Sequence, residues 1–160
     1  MLAKLEMSYR KAPYFSEVFP VLSQIILQDQ DNLAKYLEFQ IKMICKYLDI
    51  DTNIIVSSDI DKNNELKGKE KVIHVCKKIG GTEYYNAIGG QELYDYESFK
   101  SNGLKLSFVK TNDIQYQQFK NEFVPNLSII DVMMFNSKEE IKDMLENYEL
   151  IQEKGKVKKL

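Results

Sequence analysis

Apolar residues recur at helical spacing through the first third of the chain. This pattern predicts a helix over residues 2–10, a second helix that Ser16 caps, and a third from Asp31 to Leu48. In the third helix so much of the surface is apolar that we expect it to be largely buried. Its apolar positions are Leu33, Tyr36, Leu37, Phe39, Ile41, Met43, Ile44, Tyr47 and Leu48.

After residue 50 the chain contains short segments that are rich in β-branched residues or that alternate apolar and polar residues. Segments with helical spacing lie between them. The β-branched and alternating segments predict strands at residues 52–56, 82–85 and 104–109. Residues 129–135 are expected to form a short buried helix. A capping box at Ser137 is expected to open a last helix that carries Tyr148 on its inner face.

This order of strands and helices predicts an α/β fold. We expect a small three-stranded, mainly parallel sheet flanked by helices, as in an incomplete Rossmann-like domain. Residues 1–150 are predicted to form a single domain, and residues 151–160 a basic frayed tail. A sheet of only three strands has two open edges. We therefore expect the chain either to lack part of its parent fold or to pair with another chain.

Composition and net charge argue against two classes of partner, nucleic acids and membranes. Hydrophobic residues make up 44% of the chain, which is enough for a packed core, and the formal net charge is −2. A nucleic-acid partner would need a basic face, so none is predicted. Apolar runs are all far shorter than the roughly 20 residues that span a bilayer, so no membrane insertion is predicted. The first residues do not resemble a secretion signal, and we expect a cytoplasmic protein.

The reactive side chains are few. Cys45 and Cys76 each lie in an apolar helical pattern and are predicted to be reduced and buried. His74, the only histidine, is expected to face solvent. No metal site is predicted, because zinc sites use three or four ligands. The sequence indicates no particular cofactor.

Polar residues follow each predicted strand, and ligands of open parallel sheets bind beyond the carboxyl ends of the strands. Ser57 and Ser58 follow the first strand, and Asn86, Gly89 and Gly90 follow the second. We interpret all five as substrate-binding candidates, since paired glycines let backbone N–H groups approach an anion. The alternative interpretation is a tight turn within ordinary polar loops.

Two further groups complete the candidate site. Glu92 and Asp131 are the candidate catalytic carboxylates, and Tyr94, Tyr116 and Gln118 are candidates for sugar binding, in which rings stack and amides bond hydroxyls. We expect Asp131 to be buried and to need hydrogen-bond donors. Donors from residues 89–94 would close the long 116–131 loop over the glycine turn and form the main pocket. A helix-start charge at Glu92 and a loop pinned by its aromatic residues are the alternatives.

Five segments resemble one known family, in order, over residues 5 to 135. They are YRKAPYF at 9–15, LDIDT at 48–52 leading to Ser57 and Ser58, CKKIG at 76–80, NAIGG at 86–90 with Leu93 and Tyr94, and FVP with LSIID at 123–131. Together they are similar to the WbqC-like family of bacteria. Members of that family carry an N-terminal half with a proline- and aromatic-rich motif, and we do not find that motif in this chain. By the resemblance, only the C-terminal portion of the family is present.

The resemblance implies a role in bacterial surface polysaccharide (O-antigen) biosynthesis. It suggests a transferase that adds an acyl or aminoacyl group, such as glycyl, to an amino sugar of a nucleotide sugar. The expected partner is then a sugar or nucleotide sugar, and a homodimer or a pairing with the missing half would complete the molecule. The alternative is a non-catalytic, truncated module that binds a sugar or a partner.

Overall fold

The computed structural model describes residues 1–120, 122–152 and the backbone of 157–158. Seven α-helices and four strands lie in this part of the chain. In chain order they are α1 (Leu2–Tyr9), α2 (Phe15–Leu27), α3 (Leu33–Tyr47), α4 (Gly68–Lys78), β1 (Glu83–Ala87), α5 (Tyr96–Ser101), β2 (Lys105–Thr111), α6 (Ile129–Phe135), α7 (Lys138–Leu145), β3 (Tyr148–Ile151) and β4 (Val157–Lys158).

The chain divides into two compact units. The helical unit consists of Met1–Ile54 and Asp113–Glu146, and the sheet unit consists of Ile55–Asn112 and Asn147–Leu160. Each unit has its own cluster of buried apolar side chains. Whether the two units unfold together as a single domain therefore stays a prediction.

In the helical unit the core forms where α2 and α6 present apolar faces. Val18, Leu22 and Ile25 are spaced three and four residues apart on α2, and all three are buried. Met133 and Met134 of α6 are fully buried in the same cluster. α7 adds Ile141, and its start is fixed by the predicted capping box, in which Ser137 and Glu140 exchange side-chain and backbone hydrogen bonds.

The third helix differs from its prediction. α3 is amphipathic, and Phe39, Met43 and Tyr47 on one face pack against the core. None of its residues is fully buried, and Leu33, Leu37 and Ile41 are 70%, 45% and 50% exposed. The expectation of a largely buried α3 was wrong, because only one of its two apolar faces contacts the core.

The sheet unit contains the four strands in the order β1-β2-β3-β4. β1 and β2 pair in parallel, with Glu83 opposite Lys105 and Ala87 opposite Val109, and α5 lies on the connection between them. β3 joins β2 antiparallel, and β4 joins β3 antiparallel. The α/β class and the small sheet flanked by helices are confirmed.

Helix ends in the sheet unit follow the glycine signals of the sequence. After α4, Gly80 adopts a φ of +72°, the N–H of Gly81 bonds to the carbonyl of Cys76, and that of Gly80 bonds to the carbonyl of Lys77. These two bonds form a Schellman motif, whose left-handed residue is best supplied by glycine. The turn leads directly into β1.

Two predicted elements are wrong. Residues 51–56 form neither helix nor strand, and they lead into a 3-10 turn at Ser57–Asp59. Tyr148, expected on the last helix, begins β3, because α7 ends at Leu145. β3 extends to Ile151, and most of the predicted frayed tail lies outside the described residues.

Candidate functional site

A buried carboxylate organises one polar cluster in the helical unit. Asp131 is 5% exposed, and its two oxygens accept three side-chain hydrogen bonds. The Tyr9 hydroxyl donates to Oδ2 at 3.0 Å, while the Tyr116 hydroxyl and the Gln118 Nε2 donate to Oδ1 at 2.7 and 2.8 Å. We call these four residues the Asp131 cluster.

Three separate segments bring the cluster together. Tyr9 is the last residue of α1, and Asp131 lies in the first turn of α6, where the helix dipole favours a negative charge. The hydroxyl of Ser128, the residue before α6, accepts a hydrogen bond from the Ile130 N–H. Tyr116 and Gln118 come from the loop between β2 and α6.

Gln118 also fixes this loop. Its Oε1 accepts from the Val124 N–H at 2.8 Å, and its Nε2 donates to the Val124 carbonyl at 3.1 Å. The Tyr116 ring packs edge-on against Phe123, with 5.2 Å between ring centroids. One buried amide thus ties the two arms of the loop together while it holds the Asp131 carboxylate.

The electrostatics of the cluster keep both phenols protonated. Burial raises the pKa of Tyr9 to about 12, and the hydrogen bond to the Asp131 carboxylate acts in the same direction. Burial and the same carboxylate raise the pKa of Tyr116 to about 12, while its bond with Gln118 opposes the rise. Both hydroxyls therefore remain donors across the physiological pH range.

The three bonds leave one oxygen of the carboxylate less engaged than the other. A carboxylate oxygen can accept about two hydrogen bonds. Oδ1 accepts from both Tyr116 and Gln118, whereas Oδ2 accepts from Tyr9 alone. Chemically, Oδ2 is the atom of this cluster that can take a further hydrogen bond or a proton.

The sequence predicted part of this arrangement. Asp131 is buried and hydrogen-bonded as expected, and Tyr116 and Gln118 lie beside it. The donors that the structure gives Asp131 are Tyr9, Tyr116 and Gln118. Tyr9 was not among the predicted site residues, although it opens the segment at 9–15 that carried the family resemblance. The pocket between the glycine turn and the 116–131 loop would join two units, and it stays a prediction.

A second polar group lies in the sheet unit, at the end of β1. Asn86 Nδ2 donates to the Tyr84 hydroxyl at 2.9 Å, and Gly90 is buried directly against the Asn86 side chain. A Cβ on Gly90 would lie 2.8 Å from Asn86 Oδ1. The ring of Tyr94 packs edge-on against Tyr84 and Phe99. Burial raises the pKa of Tyr84 to about 12, and hydrogen bonding with Tyr94 adds to the rise.

This group brings three of the predicted binding residues, Asn86, Gly90 and Tyr94, to one place. Because β1 and β2 are parallel, the group lies at the same sheet edge as the end of β2 at Thr111. Gly89 is exposed, and a Cβ there would meet no atom within 4 Å. Gly89 is therefore free of the packing constraint that holds Gly90.

The remaining predicted site residues are exposed. Ser57 and Ser58 lie in the 3-10 turn, where the Ser57 carbonyl accepts from the Lys62 ammonium and the Ser58 hydroxyl donates to Asp59 at 3.3 Å. Since this turn does not follow a strand, the reason for placing the serines at a sheet edge is lost. Glu92 is exposed on the turn after Gly90.

The other reactive side chains agree with their predictions only in part. Both cysteines are free, and Cys76 is buried, which raises the pKa of its thiol. Cys45 is only half-buried. His74 is half-buried rather than fully exposed, and its Nε2 accepts a hydrogen bond from the Asn63 N–H at 3.2 Å. Among the described residues, no group of three or more His, Cys, Asp or Glu side chains could hold a metal ion.

Helices of the described chain are all too short or too polar to cross a membrane. A search of curated proteins and a search of solved structures found no match to the chain. The WbqC-like protein family matches residues 1–143. Because the match begins at residue 1 and spans most of the chain, it does not support the prediction that only the C-terminal portion of the family is present. The chain belongs to the WbqC-like protein family.

Proposed function

We propose that this protein is a transferase of bacterial surface polysaccharide biosynthesis. It would add an acyl or aminoacyl group to the amino group of an amino sugar carried by a nucleotide sugar. Membership of the WbqC-like family supports the setting. The observation that carries the chemistry is the buried Asp131 carboxylate, held by Tyr9, Tyr116 and Gln118.

Acyl transfer to an amine needs a base at the nitrogen. The amine nitrogen attacks the acyl carbonyl, the new C–N bond forms, the leaving group departs with its electron pair, and the nitrogen gives up a proton. Asp131 Oδ2 is a candidate acceptor for that proton, because only Tyr9 donates to it. The protonated phenols of Tyr9 and Tyr116 would stabilise the carboxylate before the transfer and orient it throughout.

The residues at the end of β1 are the candidates for binding. Asn86 presents an amide and Gly89 an unobstructed backbone surface at the carboxyl edge of the parallel pair. An amide and open backbone N–H groups suit hydroxyls and phosphate oxygens. Glu92, Ser57 and Ser58 remain candidates of lower rank, since each is exposed and the two serines have lost their structural rationale.

Binding without catalysis is the alternative function, and one observation favours it. The polar groups of Tyr116 and Gln118 already form hydrogen bonds with Asp131 and within the loop, as they would in a cluster with a structural role. In that case Asp131 stabilises the loop, and the chain binds a sugar or a partner only.

The test combines a binding assay with a product assay on the purified chain. Nucleotide-linked amino sugars are screened by thermal shift, because a ligand at about 100 times its Kd stabilises the folded state by about 2.7 kcal/mol. The sugars that bind are then incubated with acyl and aminoacyl thioesters, and the product is sought by mass spectrometry. We expect a shift and an N-acylated sugar. A thermal shift without product in every combination favours the binding module. If no sugar gives a shift and no product forms, both proposed functions are contradicted.

Two variants locate the chemistry. Asp131→Asn keeps the shape of the side chain but removes its negative charge, and we expect a loss of turnover of about 100-fold or more. Asp143→Asn changes an exposed carboxylate on α7 and should leave turnover unchanged. Circular dichroism of both variants checks the fold. Turnover that survives in a folded Asp131→Asn protein would exclude Asp131 as the base.

A further inference from the structure

The loop that precedes α4 in the sheet unit is joined to that helix by two polar contacts. The N–H of Asn63 donates to Nε2 of His74 at 3.2 Å, and the Lys78 ammonium lies 3.9 Å from the Asp61 carboxylate. Exposed ion pairs contribute little to stability, and the Asp61 side chain is fully exposed. The hydrogen bond to His74 is therefore the stronger of the two contacts.

The middle of this loop is exposed, whereas its two ends are anchored. Residues 63–65 are exposed, and Ile60 and Leu66 on either side of the loop are half-buried. Within the loop, Asn63 Oδ1 accepts from the Glu65 N–H at 2.9 Å and forms an Asx turn. This turn involves no residue of α4, so the loop can keep its local structure without the helix.

The bond from Asn63 requires one particular form of His74. A ring nitrogen accepts a hydrogen bond only when it carries no proton, so the proton of the neutral ring lies on Nδ1. The imidazolium form carries protons on both nitrogens and has no acceptor. Protonation of His74 and this hydrogen bond therefore exclude each other. Histidine side chains change charge between about pH 5 and pH 8, which is the physiological range.

Charged groups of both signs surround the His74 ring. The ring lines a cavity of about 430 Å³ together with Ile73, Asn102, Glu70, Lys77 and Lys78. The titratable groups that face it lie on α4, at helical neighbours, and on the loop; they are Glu70, Lys71, Lys77, Lys78, Asp61, Lys62 and Glu65. The lysines oppose a further positive charge and the carboxylates favour one, so neither sign alone decides the state of the ring.

We infer that His74 is a pH-sensitive latch for the loop at residues 61–65. In its neutral form, Nε2 holds the Asn63 N–H and keeps the loop along α4. In mild acid the ring takes up a proton, the hydrogen bond breaks, and the loop leaves α4 while Ile60 and Leu66 hold its two ends. This latch does not depend on the transferase activity.

NMR of the isotope-labelled full chain tests the latch without an assay of activity. At about pH 8 the ring nitrogen shifts of His74, the only histidine, should show a proton on Nδ1 and none on Nε2. As the pH is lowered to about 5, the Asn63 amide signal should shift with the same midpoint as the ring. Its protection against exchange with water should fall roughly fivefold, as expected for the loss of one ordinary hydrogen bond.

The Gly81 amide is the internal control for this titration. It bonds to the Cys76 carbonyl at the end of α4, away from the loop. Its signal and its protection should therefore stay constant while those of Asn63 change.

Two variants separate the proton from the hydrogen bond. His74→Gln supplies an amide oxygen that can accept from Asn63 but does not titrate, so the protection of Asn63 should remain and its pH dependence should disappear. His74→Lys supplies a positive charge and no acceptor, so Asn63 should show the low protection of the acidic wild type even at about pH 8. Circular dichroism confirms that each variant is folded, and the wild-type titration decides the matter if either is not.

Three results would overturn the inference. A neutral His74 with its proton on Nε2 would lack the acceptor that the latch requires. An Asn63 amide that does not follow the ring would show that protonation leaves the loop in place. An Asn63 titration that persists in folded His74→Gln protein would assign the pH dependence to another group, such as the carboxylate of Asp61 or Glu65.

Discussion

Asp131 shows how one buried charge can define a local structure. A buried carboxylate without partners is costly, and three donors from α1 and from the loop before α6 satisfy this one. The sequence was sufficient to predict that donors were needed. It could not identify Tyr9, since 122 residues separate the two partners and no local pattern encodes that contact.

The raised pKa values of the two phenols predict a pH dependence. An unfolded tyrosine has a pKa near 10, whereas Tyr9 and Tyr116 have pKa values of about 12 in the folded chain. Their contribution to stability is complete below pH 10 and is lost as the pH rises towards about 12. Urea unfolding across this range should show a shallower loss of stability in a Tyr9→Phe, Tyr116→Phe double variant than in the wild type.

A Tyr36→Phe variant serves as the control for that measurement, because it leaves the Asp131 cluster intact. Its loss of stability with pH should equal that of the wild type. If the double variant also follows the wild-type curve, the two phenols do not carry the pH dependence.

The paired glycines at 89 and 90 should respond differently to the same substitution. An alanine methyl at Gly90 would lie 2.8 Å from Asn86 Oδ1, and the Asn86 amide is held by its bond to Tyr84. We expect Gly90→Ala to destabilise the fold by about 1–3 kcal/mol through overpacking. Gly89→Ala has open space and should change the free energy of unfolding by less than about 0.5 kcal/mol.

A double-mutant cycle by urea denaturation identifies the cause. In an Asn86→Ala background the colliding side chain is gone, so Gly90→Ala should cost markedly less than it does in the wild type. An unchanged cost would mean that backbone conformation rather than the Asn86 contact requires glycine at this position.

Among the helices and strands, the boundary marked by a capping motif in the sequence was predicted correctly. The Ser137 capping box appears where the sequence placed it, because its hydrogen bonds act within one turn of the backbone. Residues 52–56 were mistaken for a strand on β-branched composition alone. Such residues also occur in extended chain, and the absence of a pairing partner is not visible in a local pattern.

β3 was missed for a related reason. Tyr148 continues the apolar spacing of α7, so the pattern extended the helix through a boundary that the structure places at Leu145. The exposure of Leu33, Leu37 and Ile41 on α3 has the same origin. Periodicity finds apolar faces, and tertiary packing decides which of them contacts the core.

The capping box on α7 gives a prediction at this scale. Ser137 Oγ accepts from the Glu140 N–H at 3.2 Å, and Glu140 Oε2 accepts from the Ser137 N–H at 2.7 Å. Ser137→Ala should destabilise the fold by about 1 kcal/mol in urea denaturation, whereas Ser137→Gly should cost only a few tenths of a kcal/mol. Equal costs for the two variants would argue that the Ser137 cap is not the source of the loss.

At the scale of the whole molecule, the path of the chain links the two units more than once. The chain crosses between the helical and sheet units three times, after Ile54, Asn112 and Glu146. The strands β2 and β3 that pair in the sheet unit are therefore separated by residues 113–146 of the helical unit. At the two ends of that insertion, the Asn112 N–H donates to the Asn147 carbonyl, and their side-chain amides join at 2.9 Å.

This connectivity predicts that the two units unfold together. β2 can pair with β3 only when residues 113–146 close into a loop, and their compact folding greatly reduces the entropy that closure would otherwise cost. Each unit also contains one cysteine, Cys45 on α3 and Cys76 on α4, and both are free. Pulsed alkylation along a urea series, read by mass spectrometry, should show both thiols reaching the labelling rate of the unfolded chain at the same urea concentration. Cys45 should react faster in the native protein, because it is only half-buried. If Cys76 becomes fully reactive at a clearly different concentration from Cys45, the units unfold separately and the single-domain prediction is wrong.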